Sequence, residues 1–157
     1  MKAQGITSAA LLWLAKLEQF CKREGRACYG QYSPEVLRDY LTFHMNQNTL
    51  AWTREGENIV SCGVAWQCMA EDVIRAATYK QHLFDWQPTA PHGNSVFIAD
   101  VVATTPTSAL AIFQRFTERF PQWRDLHVYT FRRGKLVWLP HKQLIRFVKQ
   151  QYKKVGG

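Results

Sequence analysis

The sequence predicts a single α+β domain in which helices pack on a mixed sheet. Three observations carry this. Apolar residues recur at helical spacing near the start, the middle and the end of the chain. Between them lie short runs rich in β-branched and aromatic residues, bounded by Gly, Pro and polar turns. The length, 157 residues, suits one core, and no linker or internal repeat divides it.

Thr7 or Ser8 caps a first helix, in which Leu11, Trp13, Leu14, Leu17, Phe20 and Cys21 follow a period near 3.6 and which Gly25 ends. Lys16 and Glu18 interrupt its apolar run, so this start reads as an amphipathic helix rather than a leader. Ser33 caps a second helix, with Pro34 at its first position, Glu35 in the first turn and Val36, Leu37, Tyr40 and Leu41 as the buried stripe. The period then changes. Thr49 to Thr53 and Ile59 to Gln67 read as strands joined through the polar loop "REGEN", which makes a hairpin. "AEDVIRAATYKQHLF" reads as a helix. "DWQPTAPHGNS", with two prolines and a glycine, reads as a loop.

Residues 96–103 form the next strand, and 106–120 a helix capped by Thr105 with Pro106 behind it. Its core face is Ala109, Leu110, Phe113, Phe116 and Phe120. "LHVYTFRRGKLVWL" supplies two strands around a Gly turn, and Pro140 opens a last helix over 141–153. The resulting order, ααββ(α)βαββα, interleaves helices and strands and implies a mixed sheet.

No apolar run approaches the roughly 18–20 residues needed to span a membrane. The cysteines, at 21, 28, 62 and 68, match no zinc spacing and read as reduced thiols of a cytoplasmic protein. The net charge of +8 is unevenly placed. From Leu126 to Gly157 there are eight Lys/Arg and no acid, while the rest of the chain sums to zero. Lys142, Arg146, Lys149 and Lys153 fall on one helical stripe. It reads as a solvated face or as a binding face for nucleic acid or an acidic protein, with Tyr129, Phe131, Trp138 and Tyr152 nearby for stacking on bases.

Within "FIADVVATTPTSALAIF" one acid, Asp100, interrupts an apolar strand. It is either a paired carboxylate or a general base whose pKa its apolar surroundings raise. The turn that follows, Thr104-Thr105-Pro106-Thr107-Ser108, opens a helix. It reads as an anion site with extra hydroxyl donors or as ordinary capping. None of the five histidines pairs at the i, i+4 metal spacing. His92 precedes the Asp100 strand and can reach over the sheet edge. His127 shares a strand face with Tyr129 and Phe131.

Over roughly residues 35–139 the chain resembles the GNAT-like acyltransferase superfamily, nearest to the branch of RTX toxin-activating lysine acyltransferases. "NQNTLAWTREGENIVSCGVAW" is similar to that branch's central hairpin. "VFIADVVA" is similar to the strand bearing its catalytic Asp, which falls on Asp100. "ALAIFQRFTERFP" and "HVYTFRRGKL" are similar to the helix and strand that follow. The resemblance implies a GNAT-like domain with a mixed, mostly antiparallel sheet splayed between the strands of Asp100 and Tyr129. It places an acyl thioester, from a CoA or a carrier protein, in that gap, with its phosphates at the following turn. Two features depart from the pattern: the turn has no glycine, and residues 1–35 hold no histidine to match the branch's catalytic one. His44 and His92 stand nearest.

Two functions are expected from this. In the first, an acyltransferase moves an acyl group to an amine. Asp100 acts as base, through water or His92. Backbone N–H groups at Val101 and Val102 hold the carbonyl oxygen. Thr104, Thr105, Thr107 and Ser108, with Arg132 and Arg133, hold the phosphates. In the second, a non-catalytic module on the same scaffold binds nucleic acid or an acidic protein through its basic stripe. Small size, high charge and the altered turn also suit a viral or mobile-element protein.

Overall fold

A computed structural model describes residues 7–30, 32–78, 93–132 and 135–139. The expected C-terminal helix, with Lys142, Arg146, Lys149 and Lys153, lies outside the described residues. So do His92, Arg133 and the second half of the helix expected from Ala70.

The helical half begins with α1 (Ser8–Glu24), a single turn α2 (Arg26–Tyr29) and α3 (Pro34–Asn46). Thr7 accepts from the Ala10 N–H at 3.1 Å, and Ser33 from the Val36 N–H at 3.2 Å, which fixes both helix starts. The strands are β1 (Leu50–Glu55), β2 (Asn58–Cys68), β3 (Ser95–Ala103), β4 (His127–Arg132) and β5 (Lys135–Leu139). α4 (Ala70–Thr78) follows β2, and α5 (Pro106–Arg119) joins β3 to β4. The hairpin turn is tighter than "REGEN" suggests. Gly56 takes a left-handed φ of 61°, so both strands run on to Glu55 and Asn58.

The five strands lie in sequence order. Every neighbouring pair is antiparallel except β3–β4, which the helix α5 makes parallel. The sheet has a core on each face. Leu14, Leu17, Phe20, Leu37, Leu41 and Phe97 fill the side under α1 and α3. Ile98, Ile112, Phe116 and Val128 fill the side under α5.

The stripe assignments change in α1, α3 and α5. Leu11 is 53% exposed, and Glu18 is buried in its helix. Arg38 of α3 reaches Glu18 with two hydrogen bonds, at 3.1 and 3.2 Å, and Lys22 adds an ion pair at 3.2 Å. Burial alone would raise the Glu18 carboxyl, but these bonds outweigh it and hold the pKa below the usual range. Val36 and Phe113 are only half-buried, and His44 completes the α3 stripe instead.

Candidate functional site

Asp100 reaches its place through a break in register. Along β3, Phe97 and Ala99 face the α1–α3 core and Ile98 faces the α5 core. Strict alternation would turn Asp100 toward α5. Val64 pairs with Asp100 but the next residue, Ala65, pairs with Ile98, so Ala99 is an extra residue in β3. This bulge sends Asp100 to the α1–α3 side. There it is 6% exposed and accepts the Tyr40 hydroxyl at 2.5 Å through Oδ2.

The other carboxylate oxygen, Oδ1, is buried with no hydrogen-bond partner among the described residues, and so is the Tyr29 hydroxyl. Burial pushes the Asp100 pKa up to about 6, against a partial counter-effect from the nearby hydroxyls of Tyr29 and Tyr40. The Tyr29 hydroxyl favours the charged carboxylate without closing a hydrogen bond to it. Its own pKa rises well above 10, first by burial and then through the Asp100 charge. Rings of Tyr29, Tyr32 and Tyr40 pack together with centroids 5.8–6.5 Å apart. Behind them, the Cys21 and Cys62 sulfurs approach to 3.7 Å.

His44 belongs to the same cluster but not to the same hydrogen bonds. Its ring meets Tyr40 edge-on at 4.7 Å and stacks on Trp66 at 5.4 Å. Its Nδ1 lies 2.7 Å from the Thr49 hydroxyl. Burial lowers its pKa to about 4, so it is neutral at pH 7. His44 therefore stands one ring away from Asp100 and does not touch it.

β3 and β4 share only four rungs, from Ser95–His127 to Ile98–Thr130. Beyond them β3 continues to Ala103 while β4 pairs onward with β5 alone. Asp100 and Val102 stand opposite Val64 and Cys62, and Thr104 donates its N–H to Val60 at 3.1 Å. The alternation of an antiparallel ladder then directs the Val101 N–H away from β2, to the side on which β3 has no further rung with β4 among the described residues. Val102 faces β2, so of the two expected backbone donors only Val101 is turned to the β4 side. Beside the four rungs, under α5, Val96, Ile98, Phe113, Phe116 and Val128 line an apolar pocket of about 60 Å³.

The turn after β3 is occupied by its own cap. The Thr105 side chain accepts from Ser108 N–H at 3.1 Å, and Ser108 Oγ accepts from Thr105 N–H at 3.0 Å. Thr104 also donates its hydroxyl to Val60 at 3.3 Å. Pro106 has no N–H, so Thr107 keeps the one uncommitted backbone donor of the first turn. This is the capping reading of the sequence, and it leaves the anion reading little to work with. The Arg132 side chain lies outside the described set.

Sequence reasoning missed Tyr40 and Tyr29. A tyrosine in an apolar stripe reads as core, yet a buried hydroxyl needs a partner, as does a strand carboxylate. His44 had a readable signal, since it lies four residues after Tyr40 and seven after Leu37.

Among the described residues no group of three or more His, Cys, Asp or Glu is placed to hold a metal. Among them, no helix is long and apolar enough to cross a membrane. Comparison with protein-family models, curated proteins and solved structures finds no match.

Proposed function

We propose that the chain is an acyltransferase-like protein that takes an acyl thioester in the opening between β3 and β4. The observation that carries this is the short parallel ladder, which ends at Ile98 and Thr130 two residues before Asp100. A thioester carbonyl in that opening would meet the Val101 N–H, a fixed donor for the oxygen that gains charge on attack. An amine attacks the carbonyl carbon, the C–S bond breaks, and the thiolate leaves. The amine proton passes to Asp100, whose pKa of about 6 suits a base at neutral pH. Tyr40 holds that carboxylate in place. The apolar pocket under α5 has room for the end of a short acyl chain. The resemblance to GNAT-like acyltransferases points the same way. His92, Arg132 and Arg133 are proposed as helpers at the amine and the phosphates.

The test is calorimetry with acetyl-CoA and a longer acyl-CoA, followed by turnover with an amine acceptor. Heat with at least one donor is expected, and Asp100→Asn should keep binding while losing transfer. No heat with either donor at high micromolar protein sinks the CoA version.

A second reading is a non-catalytic binding module on the same scaffold, contacting nucleic acid or an acidic protein through Lys142, Arg146, Lys149 and Lys153. The capped turn favours it, because the phosphate grip expected of a CoA enzyme is spent on the helix. Charge reversal at Arg146 and Lys149 should then weaken DNA or RNA binding and flatten its salt dependence. Unchanged affinity would leave the stripe a solvated face.

A further inference from the structure

At the far edge of the sheet, two strands from the opening beside Asp100, β1 has no neighbouring strand among the described residues. Its ladder with β2 fixes which backbone groups point outward. Thr49 C=O accepts from Ala65 N–H at 3.0 Å, and Leu50 and Trp52 stand opposite Val64 and Cys62. Alternation in an antiparallel pair then turns the N–H and C=O of Leu50 and Trp52 away from β2. The Arg119 guanidinium confirms the direction by donating to Leu50 C=O at 3.3 Å. Trp52 keeps both an N–H donor and a C=O acceptor open at this edge.

A groove of about 840 Å³ runs along it, between the end of α3 and the outer side of α5. Arg115 and Arg119 of α5 face it, against the single carboxylate of Glu118. Arg54 lines its end, but its guanidinium lies over the Trp13 ring, 4.8 Å from the centroid, and donates to Gly56 C=O at 3.4 Å. Neither Arg115 nor Arg119 belongs to an ion pair among the described residues. Arg115 and Arg119 are four apart on one helix face, a like-charge spacing that costs stability unless an anion lies between. Arg119 is half-buried, and its pKa falls below the usual range, first through burial and then through the Arg115 charge.

We propose that this edge takes an extended, acidic segment of a partner protein as a sixth strand, paired with Trp52 and neutralised by Arg115 and Arg119. The backbone asks for a donor and an acceptor at strand spacing, which a peptide supplies and a phosphodiester chain does not. The guanidiniums select the side chains. A basic strand would be repelled, whereas carboxylates at alternate positions would all meet α5. The stretch from Leu50 to Arg54 matches about five residues of ligand at ~3.3 Å each. This inference is independent of the acyl-donor reading.

The test uses the full chain and an end-blocked, fluorescein-labelled peptide alternating Glu and Thr. Three controls accompany it: the same peptide N-methylated at alternate amides, a Lys-for-Glu peptide, and a single-stranded oligonucleotide. The acidic peptide should bind, and hydrogen exchange at the Trp52 amide should slow by about tenfold or more at saturation. Arg115→Glu, at an exposed position, should weaken binding by about tenfold or more. N-methylation should do the same with the charge unchanged, which keeps the test intact if that variant misfolds. Equal binding of the methylated peptide overturns the proposal. So does unchanged Trp52 exchange in the complex, or protection of Trp52 by the oligonucleotide but not the peptide.

Discussion

Tyr40 on α3 donates its hydroxyl to Asp100 on β3 at 2.5 Å, across sixty residues of sequence. Each solves the other's problem, because a buried hydroxyl and a buried carboxylate both lose hydration. Tyr40→Phe should therefore cost roughly 1.5–3 kcal/mol at pH 7, the range for a hydrogen bond to a charged group. With the Asp100 pKa at about 6, the carboxyl is protonated in the folded protein at pH 4.5 and the bond to it weakens. The cost should shrink there. Urea midpoints at the two pH values check this, and an equal loss at both would mean that Tyr40 matters by packing alone.

Asp100 and His44 should push stability in opposite directions over one pH window. Folding raises the Asp100 pKa from 3.8 to about 6, so the folded state binds the extra proton and stability falls as pH climbs through that range. Folding lowers the His44 pKa from 6.5 to about 4, so the unfolded state binds the extra proton and stability rises with pH. Each effect is on the order of 3 kcal/mol, and together they nearly cancel. Relative to the parent, Asp100→Asn should gain stability from pH 4 to 6, and His44→Gln should lose it. Denaturant titrations across this range give both slopes. Parallel curves for parent and variants would show that neither group titrates as its burial implies.

What was legible in the sequence was local. Ser33-Pro34 and Thr105-Pro106 are caps whose partners lie three residues away, so the chain alone carries the signal. The succession of helices and strands along the chain followed from punctuation by Gly, Pro and polar turns, whereas their order in the sheet did not. The bulge at Ala99 was not legible, because register is a property of two strands and β2 supplies half of it. The same limit hid Glu18. Its burial depends on Arg38, twenty residues on, which a helical period within α1 does not contain. The edge groove follows from the position of β1 in the sheet, which no motif encodes.

The cap on α5 should behave as one unit. Thr105→Ala removes the acceptor for Ser108 N–H and should cost about 1 kcal/mol. Ser108→Ala removes the reciprocal bond to Thr105 N–H, and its buried hydroxyl also donates to Thr105 C=O at 2.9 Å. The double variant should lose less than the two losses added, since either change opens the box. Thermal unfolding of the four proteins measures the coupling. Strict additivity would mean the two bonds act separately.

Gly63 in β2 sets how closely α5 can lie on the sheet. A Cβ there would stand 2.8 Å from the Asp100 carbonyl oxygen and 2.9 Å from Phe116 Cζ. The first is backbone, held by the ladder beside the bulge, and cannot swing aside as a side chain can. Phe116 is itself buried, so relief must come from moving the helix or the strand. Gly63→Ala should therefore cost about 1–3 kcal/mol, the range for overpacking, and should disturb the residues around Asp100 as well as those around Phe116. Ala109→Gly, on the same helix but half-buried, serves as a control for general loosening of α5. Amide chemical shifts at Ala99, Asp100 and Val101 report the local movement. If Gly63→Ala is as stable as the parent, or leaves those three amides unchanged, the close approach of α5 to β2 and β3 does not depend on this glycine.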